Sequence, residues 1–337
     1  MAARTHFSKS HLSNVEAGRR QATADIVLAY ARVLGEDCMQ RRGLLAAVAA
    51  SAVAPVAAGE LIHAGFTAAL AKRGAEEKWR EHVVGYGRDY MAVGAGQLQT
   101  RLASDLVVIQ QQLDTPRMWA SAARLLAVYG KTTGEPREAI RWYRLAVEAA
   151  DRSEDLAVRV WVRGRAAIAL AYEGAALGVA EQLADQADQL SDRPSIGRLN
   201  ALMARAHVAA GRADLAAAIR ADEAARRVFD LVASPDAEIS DFAVPPWRMA
   251  TFRSMLWARL GDVRRGEEAQ DDADKGRPAE LTRFATHIEL HRGLMMAHAG
   301  DHEGGLAYAR AAMDALPVER RSQTLRLVLR EVERTAA

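Results

Sequence analysis

Glycine-containing turns recur at nearly regular intervals along the C-terminal two-thirds of this sequence. Successive turns are 40, 37, 50 and 39 residues apart, at Gly134, Gly174 (or Gly178), Gly211, Gly261 and Gly300. The segments between them carry apolar residues at helical spacing, and a period of this length is typical of arrays in which each repeat is one helical hairpin. Because one helix pair cannot bury its apolar stripe alone, successive pairs must stack to form a continuous core. The sequence therefore predicts an all-α fold of stacked helix pairs.

Each predicted unit is a helix, a short turn, a second helix and a polar break. The units are 117–151, 155–191, 194–230, 245–275 and 279–316. Helices at about Glu76–Val93 and Gly96–Leu113 precede them, and a final helix at about Val318–Thr335 is predicted to cap the array, since one side is apolar and the other carries several arginines. Only 6% of the residues are aromatic, Pro is rare, and no long apolar–polar alternation indicates a sheet.

The segment ahead of the array is an alanine-rich stretch at 38–75, predicted to be a helical linker. Arg41 and Arg42 precede a short apolar run, as in a twin-arginine export signal. About forty residues of different character come first, and the run is too short to span a bilayer well, so a linker is favoured. The single cysteine, Cys38, excludes an intrachain disulfide and fits a reducing cytoplasm. We expect a cytoplasmic protein with no membrane partner.

The sequence has no phosphate-binding loop, dinucleotide fingerprint or nucleophile elbow. It therefore predicts a binding protein without a cofactor, and not an enzyme. The net charge of +2 argues against a globally basic nucleic-acid coat, but residues 1–20 alone carry a net charge of +3. A small basic module at this end remains compatible with the composition.

Residues 8–20 read Ser-Lys-Ser-His-Leu-Ser-Asn-Val-Glu-Ala-Gly-Arg-Arg. This segment resembles the recognition helix of Cro/repressor-type (XRE) helix-turn-helix domains, in which a capping Ser precedes Leu-Ser-x-Val/Ile-Glu, a small residue, Gly and basic residues. Residues 23–35 look like the helix that follows it. With the repeats, the whole chain resembles actinobacterial regulators that join such a domain to a tetratricopeptide-like (TPR-like) α-solenoid. The resemblance implies a fold with three parts: a helix-turn-helix module at 1–37, the linker at 38–75 and the array at 76–335.

The N-terminal module departs from the family pattern. The family's domain normally begins with a full helix and then a positioning helix, whereas Met1–Arg4 supply only the tail of the second. The sequence thus predicts a truncated module, either because the natural start lies upstream or because the module is degraded. If the module is complete in the cell, the resemblance implies that the recognition helix lies in the major groove. The implied DNA-binding residues are Lys9, Ser10, His11 and Asn14 at base edges, with Arg19 and Arg20 at phosphates.

Several residues of the array are candidates for a ligand groove. Arg159, Arg163 and Arg165 share one helix and suit a carboxylate or a peptide backbone, although a solvated face is an alternative. Trp247 lies in the 240–248 segment, which breaks the repeat rhythm and is either a functional loop or a structural plug. His287 and His291 have a spacing that can bind a metal, but no third ligand is evident, so we expect ordinary polar positions and no metal site.

The sequence supports two hypotheses about function. The first is a transcriptional regulator that binds operator DNA and whose array senses a peptide, a small molecule or a protein effector. A homodimer would match two-fold operators. The second is a TPR scaffold that acts only through protein contacts and carries a vestigial N-terminus.

Overall fold

A computed structural model describes Ser8, Ser10 and residues 74–337. The chain divides into two compact units, Met1–Leu70 and Ala71–Ala337. In the first unit, Ser8 and Ser10 are exposed, Ser10 is helical, and their Oγ atoms lie 3.5 Å apart. The other predicted DNA-binding residues lie outside the described residues, namely Lys9, His11, Asn14, Arg19 and Arg20. The predicted linker also lies outside them up to residue 73.

Residues 74–337 form thirteen α-helices and no strand, so the all-α prediction is confirmed for this part of the chain. The helices are α1 Ala75–Ala92, α2 Ala95–Ile109, α3 Pro116–Gly130, α4 Pro136–Arg152, α5 Leu156–Glu173, α6 Leu177–Leu190, α7 Ile196–Gly211, α8 Leu215–Val232, α9 Pro246–Leu260, α10 Val263–Gly276, α11 Thr282–His298, α12 His302–Ala315 and α13 Gln323–Ala336. Short 3₁₀ helices at Gln110–Gln112 and Val318–Arg320 follow α2 and precede α13.

Consecutive helices pack in pairs, α3 with α4, α5 with α6, α7 with α8, α9 with α10 and α11 with α12. The ends of each pair lie within three residues of a predicted unit. The first helices of neighbouring pairs also contact one another, as α5 does with α7 and α9 with α11. The first helix of such a pair therefore buries one face against the second helix of its own pair and another face against the neighbouring pair.

Local sequence signals account for the helix ends. The side chains of Asp214, Asp262 and Asp301 accept hydrogen bonds from first-turn amides of α8, α10 and α12. Gly174 and Gly261 end α5 and α9 at φ values of 68° and 67°, in the left-handed region that favours glycine. The last helix begins later than predicted: Ser322 caps it by accepting from the Leu325 amide, so Val318–Arg320 form a separate 3₁₀ turn.

Small residues allow the closest helix contacts in the array. A Cβ added at Gly164 of α5 would lie 1.9 Å from the carbonyl oxygen of Gly197 on α7. The core around this contact is rich in alanine and leucine, including Ala167, Leu170 and Leu199, all fully buried. No helix within residues 74–337 is both long enough and apolar enough to cross a bilayer.

Candidate functional site

A cavity of about 60 Å³ lies within the array, among α1, α5, α9, α11 and the start of α13. That volume holds a few water-sized groups. Its wall has an aromatic and apolar part and a polar part rich in positive charge. The lining residues are Tyr90, Lys131, Arg165, Ile168, Ala169, Tyr172, Glu173, Arg248, Thr251, Phe252, Arg283, Phe284, His287, Ser322 and Thr324.

Three of the lining cations converge on one carboxylate, Asp241, which is itself fully buried. Its Oδ1 accepts from Lys131 Nζ, from Arg165 at 2.9 Å and from Arg248 at 2.9 Å. The side chains of Lys131, Arg165 and Arg248 are only 4%, 7% and 3% exposed. Asp241 is not among the residues that line the cavity, so the carboxylate stands behind the cations that it pairs.

The environment of this charge cluster shifts the pKa values of both the acid Asp241 and the base Lys131. Burial alone would raise the pKa of Asp241, but Arg165, Lys131 and Arg248 hold it well below its usual value. The pKa of Lys131 is lowered well below its usual value, first by burial and then by the neighbouring Arg165, although Asp241 opposes both. The single negative charge of Asp241 therefore compensates only part of the positive charge of the three cations around it.

The segment between α8 and α9 delivers Asp241 to this position. The Asp241 amide donates to the Gly87 carbonyl at 2.8 Å, and a Cβ on Gly87 would lie 2.5 Å from the Phe242 ring. Arg248 donates to the carbonyls of Ser240 and Ala243, which fixes the turn around Asp241. The 240–248 segment is thus packed into the array, where its one carboxylate organises the cation cluster.

Arg283, on α11, is the fourth lining cation. Its guanidinium donates to the Tyr90 carbonyl and lies over the Tyr90 ring, 4.8 Å from the centroid, and 5.2 Å from that of Phe284. Among the residues that the structure describes, no carboxylate oxygen lies within 4 Å of it. Its charge is stabilised by aromatic faces and a carbonyl, and by no anion of residues 74–337.

Glu173, at the end of α5, is the one carboxylate that residues 74–337 contribute to the cavity wall. Thr324 donates to its Oε1 at 2.8 Å. Burial raises the pKa of Glu173 to about 7, even though Thr324, Lys131 and Arg165 act in the opposite direction. Near neutral pH this side chain is therefore divided between its acid and its carboxylate form, and the acid form can donate a hydrogen bond.

Buried histidines adjoin the cavity next to Tyr172. The Tyr172 hydroxyl is 2.7 Å from His291 Nε2 and 3.2 Å from His287 Nδ1, and Ser254 Oγ is 2.8 Å from His291 Nδ1. Burial lowers the pKa of His287 to about 3 and that of His291 well below its usual value. Both imidazoles are neutral at physiological pH.

No group of three or more His, Cys, Asp or Glu side chains in the described ranges is placed to hold a metal ion. His287 and His291 instead share Tyr172 as a hydrogen-bond partner. Their helical spacing serves a buried network between α5 and α11.

The four predicted groove residues lie in different environments. Arg165 lines the cavity, whereas Arg159 and Arg163 both pair with Asp151, at 2.9 and 2.8 Å. Trp247 is 1% exposed and packs edge-on against Phe284, with ring centroids 5.3 Å apart. Of the four, Arg165 alone reaches the cavity, and Trp247 supports its wall from behind.

Sequence reasoning did not identify Tyr90, Lys131, Arg248 and Arg283 as lining residues. These residues come from distant parts of the chain, and no local motif links them. One signal was available: Asp241 is the single charged residue between Glu238 and Arg248, in an otherwise apolar segment. A lone acid in such a setting indicates a buried ion pair, although it does not name the partners.

No family model, no curated protein and no solved structure matches this chain.

Proposed function

We propose that the chain is a DNA-binding transcriptional regulator whose helical array senses a ligand in the cavity. One observation carries the sensing part of the proposal. Buried charged groups from α5, α9, α11 and the residue after α3 converge on a cavity inside a packed array. Cavities with a few convergent polar groups and shifted pKa values are the usual setting of ligand sites.

The DNA-binding part rests on the resemblance of residues 8–20 to a recognition helix. Lys9, Ser10, His11 and Asn14 would read base edges, and Arg19 and Arg20 would bind phosphates. The proposed homodimer would place two such helices on a two-fold operator.

Coupling between the two parts needs an element whose arrangement the ligand favours. A ligand with equal affinity for two arrangements of the array would shift nothing. The cavity suits this role because its wall combines helices that are distant in sequence, α1 with α11 and α5 with α13. A ligand that bridges them would favour one relative position of these helices.

The test is capture of fragmented genomic DNA by the full chain, at low and moderate salt, followed by sequencing. We expect a shared, roughly two-fold motif, whose recovery falls as salt rises because phosphate contacts release counterions. The double variant Lys9→Ala plus Asn14→Ala should lose the motif.

The matched control is Lys275→Ala plus Gln182→Ala, which alters an exposed lysine and an exposed amide of the array. This control should recover the same motif as the wild type. Recovery of DNA without a shared motif, or of no DNA, would contradict the regulator hypothesis and favour the protein-binding scaffold.

A further inference from the structure

We propose that the cavity binds a small ligand through an oxyanion, either a carboxylate or a phosphate, that contacts Arg283 and Lys131. The inference rests on the proposed function, since it names the chemical class of ligand that the array would sense. It does not depend on DNA binding.

The first argument is the balance of charge at the cavity wall. The cavity is lined by Lys131, Arg165, Arg248 and Arg283, and among the described residues Glu173 is the one carboxylate that lines it. Behind the wall, Asp241 compensates one of these charges while it serves three of the cations. A buried charge without a counter-charge is unfavourable, so an anion in the cavity would stabilise the array.

The second argument is unused hydrogen-bonding capacity. The Nε atoms of Arg165 and Arg248 are buried and have no acceptor among the described residues. Arg283 uses one terminal nitrogen on the Tyr90 carbonyl. A guanidinium offers several donors in a planar fork that matches a carboxylate or a phosphate. The cation-lined wall therefore offers more donors than its own acceptors use.

The third argument concerns the rest of the ligand. Ile168, Phe252 and Phe284 also line the cavity, so apolar contacts are available beside the cations. A volume of about 60 Å³ leaves room for an anionic head with a short apolar tail. Ser322 adds a hydroxyl that can donate to an oxyanion without adding charge, whereas the hydroxyls of Thr251 and Thr324 already donate to the Trp247 carbonyl and to Glu173.

Near neutral pH the acid form of Glu173 would also donate to a bound oxyanion, while its carboxylate form would repel one. Because the pKa of Glu173 is about 7, the negative charge of an anion bound nearby would favour the acid form near neutral pH. Burial lowers the pKa of Lys131, and the positive charge of Arg165, part of the same excess at the cavity wall, lowers it further.

The test uses the full chain and four probes at constant ionic strength: acetate, inorganic phosphate, propionate and the neutral propionamide. Thermal unfolding and titration calorimetry report binding. We expect at least one anion to raise the unfolding midpoint by several degrees, because a ligand that binds the folded state stabilises it. Propionamide should give a much smaller shift.

Three variants locate the effect. Arg283→Gln should weaken anion binding by about ten- to a hundredfold, the value of hydrogen bonds to charged groups. Arg283→Lys keeps the charge and should retain part of the affinity. Arg326→Gln, at an exposed position of α13, should bind as the wild type does.

Tighter binding of acetate or propionate would assign a carboxylate ligand, and tighter binding of inorganic phosphate a phosphate. Equal shifts with propionamide, equal affinity in Arg283→Gln, or no anion-specific shift would each overturn the proposal. DNA capture without anion binding would overturn this site alone, and anion binding without DNA capture would overturn the regulator alone.

Discussion

The two faces of helix α5 show opposite ways of filling an interior. On one face, Gly164 contacts Gly197 of α7 so closely that no Cβ fits between them. On the other, Arg165 and Tyr172 border a cavity that four cations surround. The first face is stabilised by dispersion and apolar burial, which need only close packing. The second depends on a balance of buried charges, which is unfavourable unless every group is compensated.

The Gly164 contact therefore contributes stability, whereas the charged cavity can respond to pH and to ligands. A close-packed contact has one good arrangement, whereas a charged cavity changes its energy with pH and with any ion that enters. Four perturbations test this contrast, and the one with the largest expected effect comes first.

The largest effect is expected from Asp241→Ala. It removes the carboxylate that Lys131, Arg165 and Arg248 share, and breaking a buried pair costs about 3–5 kcal/mol of unfolding free energy. Chemical denaturation measures it. The control, Asp185→Ala, removes a half-exposed partner of Arg205 and should change little. Similar stabilities for the two variants would show that the Asp241 cluster is not a buried charge network.

Acid should act on the histidines beside the cavity and on His207, which is fully buried near Arg259. Burial lowers the pKa of His207, His287 and His291, so the folded state keeps them neutral while the unfolded chain takes up protons below about pH 6.5. Stability is therefore present above that pH and lost as pH falls through it.

With three such groups, the loss between pH 7.5 and pH 5.5 should reach about 4 kcal/mol. Urea unfolding of a Glu173→Gln variant across this range measures it, because Glu173 titrates in the opposite direction and offsets about 2 kcal/mol of the loss in the wild type. A His287→Gln variant should show a pH slope smaller by about one proton. An unchanged slope in that variant would exclude His287 from the effect.

On the apolar face, Gly164→Ala should destabilise the array by about 3 kcal/mol, the upper end for overpacking, because the neighbouring atom is backbone. Gly178→Ala is the matched control, since a Cβ there meets nothing within 4 Å. The control should keep or slightly raise the thermal midpoint, as helical Ala is favoured over Gly. Equal midpoints for the two variants would contradict the close contact of α5 with α7.

The smallest effect is expected from Glu173→Gln. Because the folded pKa of Glu173 is raised to about 7, the folded state holds a proton that the unfolded chain has released above about pH 4.5. Wild-type stability from this group therefore falls as pH rises from about 4.5 to 7. The variant should be about 2–3 kcal/mol more stable than the wild type above pH 7, and about equally stable at pH 4.5. A gain that does not change with pH would contradict the shifted pKa.

Much of the fold was predictable from local sequence. The helix pairs follow from apolar spacing and from turn residues such as Gly261-Asp262, where one residue ends a helix and the next caps another. The close pair Gly164 and Gly197 was not predicted, because a glycine inside a helix gives no sign of which backbone approaches it.

The candidate site was predicted only at Arg165, which lies on the helix that the sequence singled out. By itself, the sequence determined the helices, their order and their paired units, because these depend on residues a few positions apart. Only the folded packing brings Lys131 to Asp241 and places Lys131 and Arg283 in the wall of one cavity. Their encounter depends on how the pairs stack, and electrostatic interactions between residues more than a hundred positions apart leave no periodic trace in a sequence.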